Sequence, residues 1–278
     1  MLGKVVKNEF KATWKLFILM YAALLALSVV TRVSLEFKFE NKIFEFFQIL
    51  LTIVYVVLAF GILAITGIMA LWRYYTNMHK DQGYLTHTLP VKEWKNIFSK
   101  TFVFTVWTIV SFLVSIISVA IFLIGIIDYG DVIEVVSDIF ENLFNYPKLI
   151  LLAVLFIILM IVQVVLNLLA MYSSISVGQS LFKKHKIFGA ILAYFVMNYA
   201  ISTLLNFMMI AMDRVLEGLE IVGIETTSTT IEFAFRNMNA NVDYALAVVG
   251  MLYLYEIIAI AIYYFVANYM LTKKLNLE

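Results

Sequence analysis

The sequence predicts an all-α, polytopic membrane fold with six transmembrane helices, an N-terminal amphipathic interfacial helix and both termini in the cytoplasm. Three observations predict it. Six apolar runs, at about 14–34, 46–72, 99–127, 148–176, 187–212 and 243–271, each exceed the roughly 20 residues that cross a ~30 Å hydrocarbon layer as a helix. The composition is 63% hydrophobic and 14% charged, with a mean hydropathy of +0.95, too apolar for one soluble core of 278 residues. The segments between the runs alternate in basic content. The N-terminus, the second and fourth loops and the C-terminus hold 14 of the 20 Lys and Arg residues, and cytoplasmic loops are the ones enriched in these residues. The whole chain, 1–278, reads as a single transmembrane domain.

The first fifteen residues place Val5, Val6, Phe10, Trp14 and Phe17 at roughly helical spacing, with Lys4, Lys7, Lys11 and Lys15 on another face. A basic amphipathic helix of this kind lies in the headgroup layer and is attracted to anionic lipid. Plain topogenic charge before a first span is the simpler alternative. The apolar core from Leu16 to Val30 is too long for a cleaved signal peptide and precedes no small-residue cleavage site. Between the first two spans, Ser34 to Glu45 alternates Leu35, Phe37 and Phe39 with charges, so strand and helix-end readings are both open there.

The second helix is expected to run past Trp72. Gly83 then permits the sharp exit that helix C-termini often need, and Pro90 restarts a helix leading through Trp94 into the third span. In that third span Thr101, Thr105, Thr108, Ser111, Ser115 and Ser118 step by three or four, so they share a face. Interhelical packing is the simpler reading of such a stripe; a polar translocation seam is the sharper one. The third loop carries an acidic amphipathic segment, with Val132, Val135, Val136, Ile139, Phe140, Leu143 and Phe144 at helical spacing. Pro147 marks the start of the fourth span. Gln163 and Asn167 lie four apart in that span, and Asn198, Ser202 and Asn206 step by four in the fifth. The fifth loop, about 213–242, is too small for an independent domain. Trp14, Trp72 and Trp94 fall at one set of span boundaries and Tyr129, Tyr146 and Tyr244 at the other, as interface anchors do.

Chemistry is sparse. With zero cysteines there are no disulfides, thiolate metal sites or thiol nucleophiles. No G-x-x-x-x-G-K-[ST] phosphate loop is present, and His79, His87 and His185 belong to no metal-ligand spacing. The sequence therefore reads as non-enzymatic, with no metal site, no catalytic residues and no cofactor bound by this chain. Of 19 acids, four lie in inner segments (Glu9, Asp81, Glu93, Glu278) and fourteen in outer ones. The remaining one, Glu256, sits near the middle of the last span. There an ionisable group costs about 2.5–3.5 kcal/mol on insertion scales and suggests function by default. Glu256, Gln163, Asn167, Asn198 and Asn206 are the intramembrane polar residues that either tie helices together or line a path. For Glu256, a hydrogen-bonded structural carboxyl, a path-lining group and a proton-coupling site stand as competing readings.

The most specific segment is 81–100, DQGYLTHTLPVKEWKNIFSK. Tyr84, Leu85 and Leu89 give an otherwise basic loop an apolar tip, suited to a partner's groove. Gly83-Tyr84-Leu85-Thr86, then Thr88-Leu89-Pro90-Val91, then Ser99-Lys100 entering a span resemble the membrane subunits of type-2 ATP-binding-cassette (ABC) transporters, the permeases of low-GC Gram-positive bacteria above all. The layout of a basic N-terminal helix, six spans and a larger outer segment before the last span is similar to theirs over the whole chain. The resemblance implies a permease subunit of an ABC exporter in a bacterial cytoplasmic membrane. Its loop residues Gly83, Tyr84, Leu85, Thr86, Leu89 and Pro90 would contact a separate ATPase subunit that binds ATP. A second permease subunit, identical or homologous, and the lipid membrane would be its other partners; no nucleic acid is expected. The acidic third loop departs from the family pattern. Two other readings remain: a proton-linked secondary carrier using Glu256, and a non-transporting immunity or sensor protein.

Overall fold

A computed structural model describes residues 2–37, 42–80, 92–126, 130, 133–134, 137–138, 144, 147–182, 184–218 and 238–273. Among them the fold is all-helical. Its six long helices are α1 (Leu2–Glu36), α2 (Lys42–His79), α3 (Glu93–Leu123), α4 (Pro147–Leu181), α5 (Lys186–Gly218) and α6 (Met238–Lys273). All six are long and apolar enough to cross a membrane, which makes this a multi-pass membrane chain. Helices are the economical solution there, because each satisfies its backbone hydrogen bonds internally where no water can. The expected coupling loop, Gly83 to Pro90, lies outside the described residues, as does most of the acidic segment around 132–144.

The helix ends refine the expected boundaries. Among the described residues of the 34–45 segment, α1 runs to Glu36 and α2 starts at Lys42, which is the helix-end reading there; residues 38–41 lie outside the described residues. α2 does continue past Trp72, to His79. α4 begins at Pro147 itself, as its missing N–H allows at a first helical position. Part of the fifth loop belongs to the helices: α5 continues to Gly218 and α6 already begins at Met238. Most notably, the first fifteen residues and the first span form one uninterrupted helix. At about 1.5 Å per residue it is longer than the hydrocarbon layer is thick, so a part of it must project beyond.

The chain divides into two compact units, residues 1–133 and 134–274. In the first, α1 and α3 run parallel. Their cross-contacts join residues 91, 94, 90 and 92 positions apart along the helices: Glu9 with Lys100, Thr13 with Trp107, Tyr21 with Ser111, and Arg32 with Ile124. α2 runs antiparallel to α1, tied by Arg73 to Glu9 at one end and by Gln48 to Ser34 at the other. Aromatic packing fills the centre, with Phe17 stacked on Trp107 at 4.4 Å and Tyr55 on Phe122 at 4.9 Å. At the far end of α3, Gly125 takes a positive φ of 74°, where a side chain would be strained and would run into the Arg32 guanidinium.

The second unit has the same up-down-up plan, described within itself. α4 and α6 run parallel, joined by Lys148 with Asp243 and by Tyr253 with the Leu155 carbonyl, 95 and 98 positions apart. α5 returns antiparallel. At its start Gly178 meets the Ala190 backbone so closely that a Cβ on residue 178 would overlap it. Small residues allow such approach between membrane helices.

Candidate functional site

Two polar constellations lie inside the helical units. The first begins with Glu9, which sequence reasoning passed over as one of four inner acids. It is 9% exposed and stands one helical turn before buried Thr13, which is followed by buried Phe17, Tyr21 and Leu24. This is the face of α1 that packs. The apolar set picked out by spacing is not this face: Trp14 is 42% exposed, and Val5, Val6 and Phe10 are half-buried, while Phe17 alone of that set is fully enclosed. The four lysines are exposed as expected. The physical reason lies in what α3 presents. Lys100 Nζ donates to Glu9 Oε1 at 2.6 Å, and Trp107 Nε1 donates to Thr13 Oγ1 at 2.9 Å. Leaving those donors unpaired would cost more than turning Trp14 outward to an interface that suits it.

The second Glu9 oxygen accepts from Arg73 of α2, through NH2 at 2.9 Å and Nε at 3.2 Å. One carboxylate thus holds three helices. The Lys100 side chain is 3% exposed and that of Arg73 21%, so the buried ammonium depends on Glu9 far more than the guanidinium does. Glu9 faces two cations, so the ionised cluster carries a net positive charge. Further along, Thr66 donates to the Ile62 carbonyl at 2.7 Å and lies 2.9 Å from Ser111, which lies 2.9 Å from the Tyr21 hydroxyl. Thr66 directs its one proton at Ile62, so Ser111 donates to Thr66, and the Tyr21 hydroxyl shares its proton between Ser111 and the Trp107 carbonyl at 3.3 Å. Ser118 donates to Tyr55 at 3.2 Å.

This accounts for the stripe in the third span. Ser111 and Ser118 bond across helices and are 0% exposed, while Thr101, Thr105 and Thr108 return their protons to their own helix carbonyls. Ser111 and Ser118 thus serve interhelical packing in this unit, while half-buried Ser115 donates to the Ala59 carbonyl at 3.5 Å beside a cavity also lined by Leu63 and Phe112.

The second constellation holds the intramembrane residues singled out from sequence. Glu256 is 2% exposed, on the α6 face that also buries Ala259, Tyr263 and Ala267. Its Oε2 has no hydrogen-bond partner among the described residues. Neither Tyr253 nor Tyr263 serves it. Tyr253 donates to the Leu155 carbonyl at 2.5 Å, and Tyr263 donates to Asn198 Oδ1 at 3.0 Å. Asn198 completes its own bonding by donating to the Tyr194 carbonyl at 2.8 Å. It is therefore a helix tie between α5 and α6. Gln163, Asn167 and Asn206 behave differently: all three are exposed, and none has a hydrogen-bond partner among the described residues. The antiparallel register set by Gly178 and Ala190 brings Gln163 and Asn206 to one level of the unit, and the parallel register of α4 and α6 brings Glu256 within about a turn of it. Burial still separates them, because Glu256 is enclosed and the amides are not.

No family model, curated protein or solved structure matches the chain.

Proposed function

We propose that the chain is the transmembrane permease subunit of an ABC exporter in a bacterial cytoplasmic membrane. A separate ATPase subunit would hydrolyse ATP, and this chain would carry the export path together with a second permease subunit. The loop resemblance over 83–91 is the sequence support. The observation that carries the reading further is the Glu9 bridge. Arg73 and Lys100 stand on the two stems that lead into and out of that loop, and Glu9 ties both to α1. A push on the loop by an ATPase would reach three helices at once. Nucleotide can bias the permease only if the contact differs between nucleotide states, and a stiff stem lets such a difference act at a distance.

Co-purification in mild detergent from native membranes, asking whether an ABC ATPase comes along, tests the reading. The parent chain is expected to bring the ATPase with it. Tyr84→Ala combined with Leu85→Ala should reduce the recovered ATPase tenfold or more, since truncating a buried aromatic anchor costs ~2 kcal/mol or more, while membrane insertion stays normal. Equal recovery from the double variant would return the loop to a plain helix hairpin.

A second reading rests on Glu256. A buried carboxyl with an unpartnered oxygen suits a proton-linked carrier, in which flux follows a pH gradient with no ATPase present. Flux measured in vesicles that contain this chain alone separates the two.

A further inference from the structure

We propose that Glu256 is a proton-binding site inside the membrane: its side chain stands there as a neutral carboxylic acid, and it is the group within the spans that a lipid-soluble carbodiimide modifies. The stretches 16–31, 46–72, 101–127, 149–182, 187–212 and 244–272 hold one Asp, Glu, Lys, Arg or His among them, and it is Glu256. That count belongs to the sequence and holds for any arrangement of the helices. The next charges along α6 are Asp243, thirteen residues before, and Lys273, seventeen after, which at ~1.5 Å per residue stand ~20 and ~25 Å away. The charges at the span ends are engaged elsewhere: Lys148 with Asp243, Arg73 and Lys100 with Glu9, and Arg32 with Glu36.

An ionised Glu256 would be a charge without a counter-ion, 2% exposed, with an Oε2 that accepts from no donor among the described residues. Such a carboxylate takes up a proton, because nothing else offsets the hydration lost at this depth. The ligand is a proton rather than a metal ion. A hard cation needs several oxygens around it, whereas a proton needs one. Tyr253 and Tyr263 direct their hydroxyls at Leu155 and Asn198, and among the described residues no three His, Asp or Glu are placed to hold a metal. The other titratable side chains on these stretches are Tyr172 of α4, Tyr194 and Tyr199 of α5, and the tyrosines of α6 itself; phenols are neutral at pH 7.

Carbodiimide chemistry distinguishes the two forms. The acid's proton adds to one carbodiimide nitrogen as its oxygen bonds the central carbon, giving an O-acylisourea. Where water is scarce the acyl group then migrates to nitrogen, and the resulting N-acylurea keeps every atom of both reactants. An ionised carboxylate lacks the proton that this addition needs. Dicyclohexylcarbodiimide, added at pH 7 to membranes holding the full chain, should therefore raise the mass of the peptide containing Glu256 by the whole mass of the reagent. In Glu256→Gln, compared at equal abundance, incorporation should fall about tenfold or more, since the other acids lie outside these stretches, where carboxylates are ionised at pH 7. Infrared spectra of the purified protein at pH 7 should show a protonated-carboxyl C=O band that Glu256→Gln lacks. The proposal is overturned if the parent's Glu256 peptide stays unmodified, if Glu256→Gln incorporates as much reagent as the parent, or if the parent lacks the band. The first and last of these need no variant. The proposal goes beyond both readings above and can fail apart from them. A neutral Glu256 without proton-driven flux would sink the carrier reading alone, and proton-driven flux with an ionised Glu256 would sink this proposal alone.

Discussion

Glu9 Oε1 accepts a 2.6 Å hydrogen bond from Lys100 Nζ, joining a residue near the start of α1 to a lysine 91 positions later that is 2% exposed. The pair is lopsided, because Arg73 shares the same carboxylate.

That lopsidedness sets a rank order. Glu9→Gln leaves two cations facing each other, one of them buried, and should destabilise the chain by roughly 3–5 kcal/mol. Lys100→Met removes the costlier buried charge and leaves a one-to-one pair, so it should cost clearly less. Combining them should be milder than Glu9→Gln alone. Denaturation of the purified protein in detergent reads the order, and a Lys100→Met variant weaker than Glu9→Gln would contradict the account.

Gly178 at the α4–α5 crossing and Gly61 in α2 predict effects of opposite sign. Gly178→Ala places a methyl against the Ala190 backbone and should destabilise by about 1–3 kcal/mol, as overpacking does. Gly61→Ala meets nothing within 4 Å and should be neutral or raise stability by up to about 1 kcal/mol through helix propensity. Melting temperatures measured in one detergent should move in those directions.

For Glu256, Gln keeps the shape and the polarity, so Glu256→Gln should retain expression and most activity. Glu256→Lys should reduce assembly, since it places an ammonium where the side chain is 2% exposed. If Gln abolishes flux in a correctly assembled protein and the parent's flux follows a proton gradient, the carrier reading prevails.

The orientation inferred from basic residues is checked by single cysteines in this Cys-free chain. An impermeant thiol reagent added to intact cells should label cysteines placed at Asp138 and Asp213 and spare those at Lys184 and Lys273. Labelling at Lys184 or Lys273 would overturn the six-span orientation.

Much was legible before any coordinates. Span number, helix type and the start at Pro147 followed from length, hydropathy and proline chemistry, which act locally and need no partner. The extension of α2 past Trp72 was legible for the same reason. The packing face of α1 was not. Apolar spacing grouped Val5, Val6, Phe10, Trp14 and Phe17, whereas of these only Phe17 is fully enclosed and it shares its face with Glu9 and Thr13, because the donors that fix the choice sit about ninety residues away. The signal was present in one respect: Glu9 is the sole acid before Glu36, set among four lysines.

The polar stripes divide in the same way. Periodicity put Thr101 to Ser118 on one face but could not say what that face meets; Tyr21, Thr66 and Tyr55 supply the answer for Ser111 and Ser118. The amides looked alike in sequence, yet Asn198 is bonded to Tyr263 while Gln163 and Asn167 are open. The sequence by itself determined that six apolar helices form, because each run buries its own backbone bonds in lipid regardless of its neighbours. Only the tertiary structure decided which polar group ties helices and which stays exposed on its unit, because that depends on donors and acceptors brought together from distant helices.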